Sequence, residues 1–487
     1  MMREKLYFMG IGGTGMAAVA GLFKEAGFDV CGSDKGVYPP MSDMLADLKI
    51  NYRVPYDAKN LIEEKADLVV VANALSRGNP ELEYMLEQKI PYTSFPALMG
   101  DRILADRCSV VVAGTHGKTT TTSLLAHVLT VLGEEPGFLI GGIPRNFALS
   151  FHLGKGRVFA IEGDEYDTAF FDKGPKFLHY RPSLALLNNL EFDHADIYKN
   201  LDEIERQFTK LCGIVQTPKQ IIANVDDPGM ANLLRENGYW NRVTRVASKG
   251  LEVDANVRVT NVSVEEHSGQ NTSLWRARIQ TESFGNLSLT TALAGEHNIA
   301  NIAQVIATVE RLYLMGELHK RPTTEDLQKA IASFAGVKRR LDLLASVGGI
   351  DVFEDFAHHP TAITTVIDGF RRSYPTKRVI VAFEPANATG RRNILQSDFA
   401  KALGLADQVL IGKCPVDTRI PEAERMDTTG LVTQIGTSKA KAYKENEHLL
   451  EDLKHLLKPG DAIIFMSPSS FSGIQHSLGP ILAKQQS

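Results

Sequence analysis

At 487 residues the chain exceeds what one hydrophobic core usually organises, and the length predicts two to four domains, three as the central value. Hydrophobic residues at 44% and charged residues at 23% exclude a disordered or collagen-like chain, and a net charge of -5 supplies no basic field for nucleic acid or an anionic membrane, so small molecules are the expected partners. Cys31, Cys108, Cys212 and Cys414 form no CxxC pair, the first apolar stretch is too short and glycine-rich for a signal peptide, and no run of eighteen apolar residues follows, which together predict a protein of the reducing cytoplasm.

In chain order, residues 6–9 read as a buried strand running into Gly10, Gly12, Gly13, Thr14 and Gly15, a GxGxxG loop. A second strand at 28–31 leads to Asp34. Read alone, this is a dinucleotide fingerprint and points to a nicotinamide-dependent oxidoreductase. The same loop at a helix N-terminus holds any pyrophosphate, that of a UDP-sugar included, and a simple tight turn uses the same residues. Strands are expected at 67–72 and 90–94, and the first domain should close near Asp106.

The strand at 110–113 opens the second unit and runs into Gly114, Thr115, His116, Gly117, Lys118, Thr119 and Thr120, before a helical pattern at 123–132. Glycines there let backbone N–H groups converge on phosphate oxygens, Lys118 offers a point charge from a surface-facing loop, and the Thr119 hydroxyl can reach magnesium. ATP is the ligand this predicts, although Val112 stands where the strict P-loop pattern has glycine. A turn that only caps a helix is the alternative.

Residues 158–161 form a further strand ending in Glu162, Asp164, Glu165 and Asp167. Such crowded carboxylates need a cation, and Glu162 could face the phosphate loop as a magnesium ligand; a solvated acidic turn is the other reading. The strand from residue 186 enters Asn188, Asn189, Glu191, Asp193, His194 and Asp196, where His194 is either a second metal or phosphate contact or a structural histidine. Alternating residues over 246–290, with a turn at 267–271, predict an antiparallel insertion; helices follow at 298–314 and from Thr324, with a boundary near Ser333.

In the third unit, Lys338, Arg339 and Arg340 could place a guanidinium on phosphate or form an exposed basic turn. Adjacent His358 and His359 are expected to point to different sides of a loop, leaving at most one functional. Residues 379–383 are the strand before Glu384-Pro385-Ala386-Asn387. Each of the three units is expected in its own parallel sheet.

GTHGKTTTT, EGDEYD, NNLEFDH, GEHNIAN, GVKRRLD and DFAHHPT, in this order and over essentially the whole length, resemble the Mur ligase family. The resemblance implies an α/β fold of three domains: a Rossmann-like UDP-binding domain at 1–106, a P-loop ATPase with the antiparallel insertion at 107–332, and a Rossmann-like domain for the amine substrate at 333–487. It implies ATP as substrate and Mg2+ as cofactor. MGIGGTGM and GSD resemble the members acting on UDP-N-acetylmuramate, and VYPPMS, IGGIPRNF and DFAHHPTAI are most similar to those joining it to L-Ala-γ-D-Glu-meso-diaminopimelate in peptidoglycan recycling; the L-alanine-adding members are the alternative. By resemblance, Lys118 and Thr119 meet the phosphates and magnesium, Glu162 and His194 the metal, and His297, Asn298 and Asn301 the adenine or metal site. Arg340 and Asp355 reach ATP and the amine, and the Gly10–Gly15 loop with Asp34 meets UDP. Lys210 lacks the context of the carbamylated lysine of several family members and reads as a surface helix residue.

Overall fold

The computed structural model describes residues 3–249, 254–266 and 273–486; the turn expected at 267–271 lies outside the described residues. Three large sheets are arranged along the chain, with a two-stranded antiparallel ribbon of Asp167–Ala169 and Asp172–Pro175 beside them. The N-terminal sheet has five parallel strands in the order Asn51–Arg53, Asp29–Ser33, Lys5–Met9, Leu68–Val71 and Tyr92–Ser94. Leu6, Phe8, Val69 and Val71 are fully buried because helices cover both faces, the condition under which parallel strands become continuous apolar runs. The order reverses beside Lys5–Met9, so the glycine loop that follows it opens at the switch point where α/β sheets bind ligands.

The central sheet has ten strands, ordered Gly285–Thr291, Ser273–Thr281, Val257–Glu266, Thr244–Ala247, Ile221–Asn224, Leu184–Leu187, Cys108–Ala113, Val158–Gly163, Gly137–Leu139 and Phe151–His152. Seven neighbours, from Val257–Glu266 to Gly137–Leu139, run parallel; the strands beyond them are antiparallel. The expected antiparallel insertion is therefore an extension of the main sheet, since its first strand pairs parallel with Thr244–Ala247. Its alternation is real: Trp275, Ala277 and Ile279 face the core while Arg276 and Arg278 are exposed. Helices Glu296–Leu314 and Thr324–Ala332 cover this part of the sheet, the second started by a capping box of Thr323 and Asp326.

The C-terminal sheet orders Asp342–Val347, Ile350–Asp355, Asp461–Met466, Arg378–Phe383, Gln408–Ile411 and Ala440–Ala442. Five strands are parallel and Asp342–Val347 is antiparallel, turned back through Gly348 and Gly349 at φ 58° and 80°. Wholly parallel pairing thus holds for the first sheet alone, because the other two are closed at their edges by hairpins. The four cysteines are free. No helix of the described residues is long and apolar enough to cross a membrane.

Candidate active site

Strand Cys108–Ala113 delivers its chain into the phosphate loop at a point where two glycines take conformations closed to other residues. Gly114 has φ 144° and Gly117 φ 82°, and a Cβ on either would meet Asn188 at 2.9 or 2.8 Å. The loop is clamped from the next strand: Asn188 Nδ2 donates to the His116 carbonyl (3.0 Å), His116 N donates to Asn189 Oδ1 (2.7 Å), and Glu191 N donates to Thr115 Oγ1 (2.9 Å). Gly117 then caps helix Lys118–Val131, which leaves the helix N-terminus and its N–H groups at the loop.

Lys118 Nζ donates to the Gly114 carbonyl (2.6 Å) and pairs with Glu165 (3.0 Å), so it is not the surface-facing lysine the loop suggested. Burial opposes its charge, but Glu165 and Asp164 outweigh burial and hold its pKa above the ordinary lysine value. Glu165 in turn receives His194, with Nε2 3.1 Å from Oε1. His194 sits at φ 59° with its ring against Tyr166, and Glu165 raises its pKa in spite of burial. Glu162 is held differently: Thr119 Oγ1 donates to it at 3.3 Å and Gly141 N at 2.7 Å, and burial raises its pKa. Thr119 with Glu162, and Lys118 with Glu165 and His194, are thus two adjoining clusters on one loop.

A cavity of about 550 Å3 between the central and C-terminal sheets gathers His116, Gly117, Thr120, His297, Asn298, Asn301, Arg340 and Asp355 along its wall. The Asn301 amide lies beside Gly117, and Asn298 Nδ2 donates to the Ala294 carbonyl (2.7 Å). Burial, helped by Arg340, pushes the His297 pKa down to about 4. Asp355 accepts N–H bonds from Leu341 and Ala357, both at 2.7 Å, and fixes the turn that carries Arg340; burial raises its pKa against the pull of Arg340. Arg339 is not in this cavity; it donates to the carbonyls of Ser467 and Ser469.

Gly10 to Gly15 and Asp34 stand apart, on the N-terminal sheet. Asp34 accepts from Gly12 N (2.9 Å) and Gly36 N (3.4 Å), so its carboxylate shapes the loop. Gly13 caps helix Thr14–Glu25. Lys210 is exposed on helix Leu201–Ile214 and donates to Gln207.

Contacts across the seam between the central and C-terminal units had no legible sign in the sequence. Asp193 accepts Thr389 Oγ1 at 2.6 Å across the seam, which places the unread 384–392 loop on the DH segment. His358 and His359 do not point to opposite sides: His358 Nε2 is 3.7 Å from Asp193, and His359 Nδ1 is 3.1 Å from Glu191. The chain turns both rings toward the same central segment because His359 starts helix Pro360–Ser373, which packs against that unit.

This geometry has counterparts. Models of a Mur ligase catalytic domain, a Mur ligase middle domain and a Mur ligase glutamate ligase domain match residues 5–107, 112–309 and 339–468. The chain is 37% identical to the UDP-N-acetylmuramate–L-alanyl-γ-D-glutamyl-meso-2,6-diaminoheptandioate ligase of Escherichia coli K12, over 99% of both chains. The chain belongs to the Mur ligase family. It is an ATP-dependent ligase that forms an amide bond, which sets aside the nicotinamide reading of the first glycine loop. It is also similar to the crystal structure of a murein peptide ligase from Psychrobacter arcticus 273-4, with TM-score 0.71, 32% identity and 99% of both chains covered. The UDP-N-acetylmuramate–L-alanine ligase of Clostridium acetobutylicum is 29% identical over 95% of this chain and 94% of its own.

Proposed function

We propose that this Mur ligase joins the lactyl carboxylate of UDP-N-acetylmuramate to the α-amine of L-Ala-γ-D-Glu-meso-diaminopimelate in the cytoplasm, in peptidoglycan recycling. The observation that carries the catalytic reading is the cavity in which the phosphate loop faces Arg340 and Asp355. The tripeptide rests on the higher identity to the Escherichia coli enzyme that acts on it. Residues 1–106 would hold the UDP-sugar, 107–332 ATP, and 333–487 the amine.

A carboxylate and an ammonium do not condense usefully in water, and ATP supplies the missing leaving group. The carboxylate oxygen attacks the γ-phosphorus, the bond to the β-phosphate oxygen breaks, and ADP leaves an acyl phosphate. Lys118 would turn from Glu165 to the transferring phosphate, and Arg340 would meet it from the other wall. Thr119 and Glu162 are oxygen donors 3.3 Å apart at the helix N-terminus, a set that suits Mg2+, with His194 joining through Glu165. Magnesium held there supplies screening of charge on the phosphate oxygens. The amine then attacks the acyl carbon through a tetrahedral intermediate that expels phosphate. Its proton goes to His358 Nε2, because Nδ1 is engaged by the Phe356 carbonyl at 2.8 Å and both Asp355 oxygens already accept N–H bonds. His297, Asn298 and Asn301 line the space for adenine, and the Gly10 to Gly15 loop offers its helix N-terminus to the UDP pyrophosphate.

The test offers UDP-N-acetylmuramate and ATP with the tripeptide or with L-alanine and identifies the product by mass. UDP-muramoyl tripeptide is expected; a product with L-alanine alone would move the chain to the other branch.

A further inference from the structure

Three side chains whose polar atoms the proposed chemistry leaves unused converge at the seam beside the phosphate loop. His116 comes from that loop, Glu191 from the segment after strand Leu184–Leu187, and His359 from the start of the C-terminal helix Pro360–Ser373. His359 Nδ1 is 3.1 Å and His116 Nε2 3.4 Å from the same oxygen, Glu191 Oε2, and the rings are 4.7 Å apart. One atom from each residue falls within 4.8 Å of the other two. These three buried atoms make no hydrogen bond among the described residues, although Glu191 is close to both rings, because the directions are wrong for one.

The tautomer of His359 sharpens the point. Its Nε2 is 3.3 Å from the Phe192 carbonyl, which can only accept, so Nε2 carries the hydrogen and Nδ1 presents a lone pair. Nδ1, on a His359 side chain only 8% exposed, lies 3.1 Å from Glu191 Oε2 and is free to ligate.

We propose that His116, Glu191 and His359 form a site for a divalent transition-metal ion of the zinc class, which ties the phosphate loop to the C-terminal unit. Two imidazoles and one carboxylate are the donor set such an ion prefers, whereas magnesium selects oxygen donors. Metal–ligand distances of about 2.0–2.1 Å in a tetrahedron place donors roughly 3.3–3.4 Å apart, close to the 3.1 and 3.4 Å that separate the two ring nitrogens from Glu191 Oε2. The Phe192 carbonyl plays the orienting part that a ligating histidine normally finds on its other nitrogen. His116 lines one cleft and Glu191 the next, with Asn189 and Thr361 on the wall of both, which leaves a fourth position open to water or a substrate group.

The full-length chain, stripped with a chelator and free of nucleotide, is titrated with Co2+ alone and then with Zn2+ in competition. One equivalent of Co2+ should bind with the intense visible absorption of a four-coordinate site and be displaced by Zn2+. His359→Ala and the isosteric Glu191→Gln should each lose more than about 100-fold in Zn2+ affinity, beyond what loss of an outer-shell partner costs. His319→Ala, at an exposed histidine paired with Glu134, should keep it. Cobalt held at Thr119 and Glu162 instead would give weak six-coordinate absorption indifferent to both variants, and that result overturns the site. So does a parent protein that binds no Co2+, or one whose His359 is an imidazolium at neutral pH by NMR.

Discussion

Lys118 has two partners that cannot be served at once. In this structure it neutralises Glu165, whose side chain is 2% exposed, and in the reaction it must reach the transferring phosphate. Removing one member of a buried ion pair costs about 3–5 kcal/mol when the other charge is left alone; here His194 still touches Glu165, so the loss should fall below that range. Lys118→Ala is therefore expected to lower the melting temperature as well as to stop ATP-dependent phosphate release. Adding Glu165→Gln should restore melting and leave activity absent, and thermal denaturation beside a phosphate assay reads both. A double variant as active as the parent would take the phosphate loop out of the chemistry. Glu162 and His194 pose a second residue-level question, because they sit in adjoining clusters on that loop. If both act on the charge of one phosphoryl group, Glu162→Gln and His194→Ala should each reduce turnover by about 10²–10³-fold, with little change in ATP affinity. The double variant should fall short of the product of the two losses, as members of one site do. Losses that multiply fully, measured at saturating magnesium, would leave His194 with the sole task of holding Glu165.

At the scale of elements, helix Lys118–Val131 carries the site at one end and a pH-sensitive packing contact near the other. His127 is buried against Phe334, with Nε2 2.9 Å from Ser333 Oγ, and burial lowers its pKa. An unfolded histidine takes up its proton near pH 6.5, and the folded one only at lower pH. Between those values the unfolded chain binds more protons, so stability falls as pH falls below about 6.5. His194, with its raised pKa, contributes in the opposite sense, so the comparison is made within one position: His127→Gln should show a smaller drop in denaturant midpoint from pH 7 to pH 5 than the parent. An equal drop would place the pH response elsewhere. The same helix shows what the sequence made legible. Its phosphate loop could be read because strand, glycines, lysine and helix are consecutive, and the buried apolar runs at 6–9, 110–113 and 379–383 announced their strands by the same local logic. The pairing of Lys118 with Glu165, the tenfold extent of the central sheet and the meeting of 191–193 with 358–359 depend on strand order and domain seating, which no local spacing encodes. Asn188 and Asn189 were visible as a polar cluster, but their work of clamping the loop emerged only once their strand lay beside Cys108–Ala113.

For the whole molecule, the problem is to keep an acyl phosphate from water, and the seam between the central and C-terminal units is where that is decided. Among the contacts that close it are two sets on opposite sides. On one side Trp275, fully buried, donates its indole N–H to Ser373 Oγ (3.0 Å) beneath the Arg372 guanidinium, which also pairs with Glu296. On the other, at the reacting side, the Thr389 hydroxyl donates to Asp193 (2.6 Å) and accepts from Ala195 N (3.3 Å), joining the 384–392 loop to the DH segment. A hydrogen bond to a charged group is worth about 1.5–3 kcal/mol, enough to change the ratio of closed to open molecules by roughly 10–150-fold when such a bond exists only in the closed form. Thr389→Val keeps the shape and removes the hydroxyl. Asp193 retains His194 N and His358 as partners, so the melting temperature should move little. The expected effect lies in coupling: with the seam opening more often, water reaches the acyl phosphate before the amine does, and ADP is released in excess of amide product. In the parent the two should appear in a ratio near one. The measurement is ADP and UDP-muramoyl peptide from the same reaction, at limiting and at saturating amine, with the excess largest when amine is scarce. A Thr389→Val enzyme that is slower yet still makes one amide per ADP would mean that the hydroxyl positions Asp193 and leaves closure to the Trp275 side.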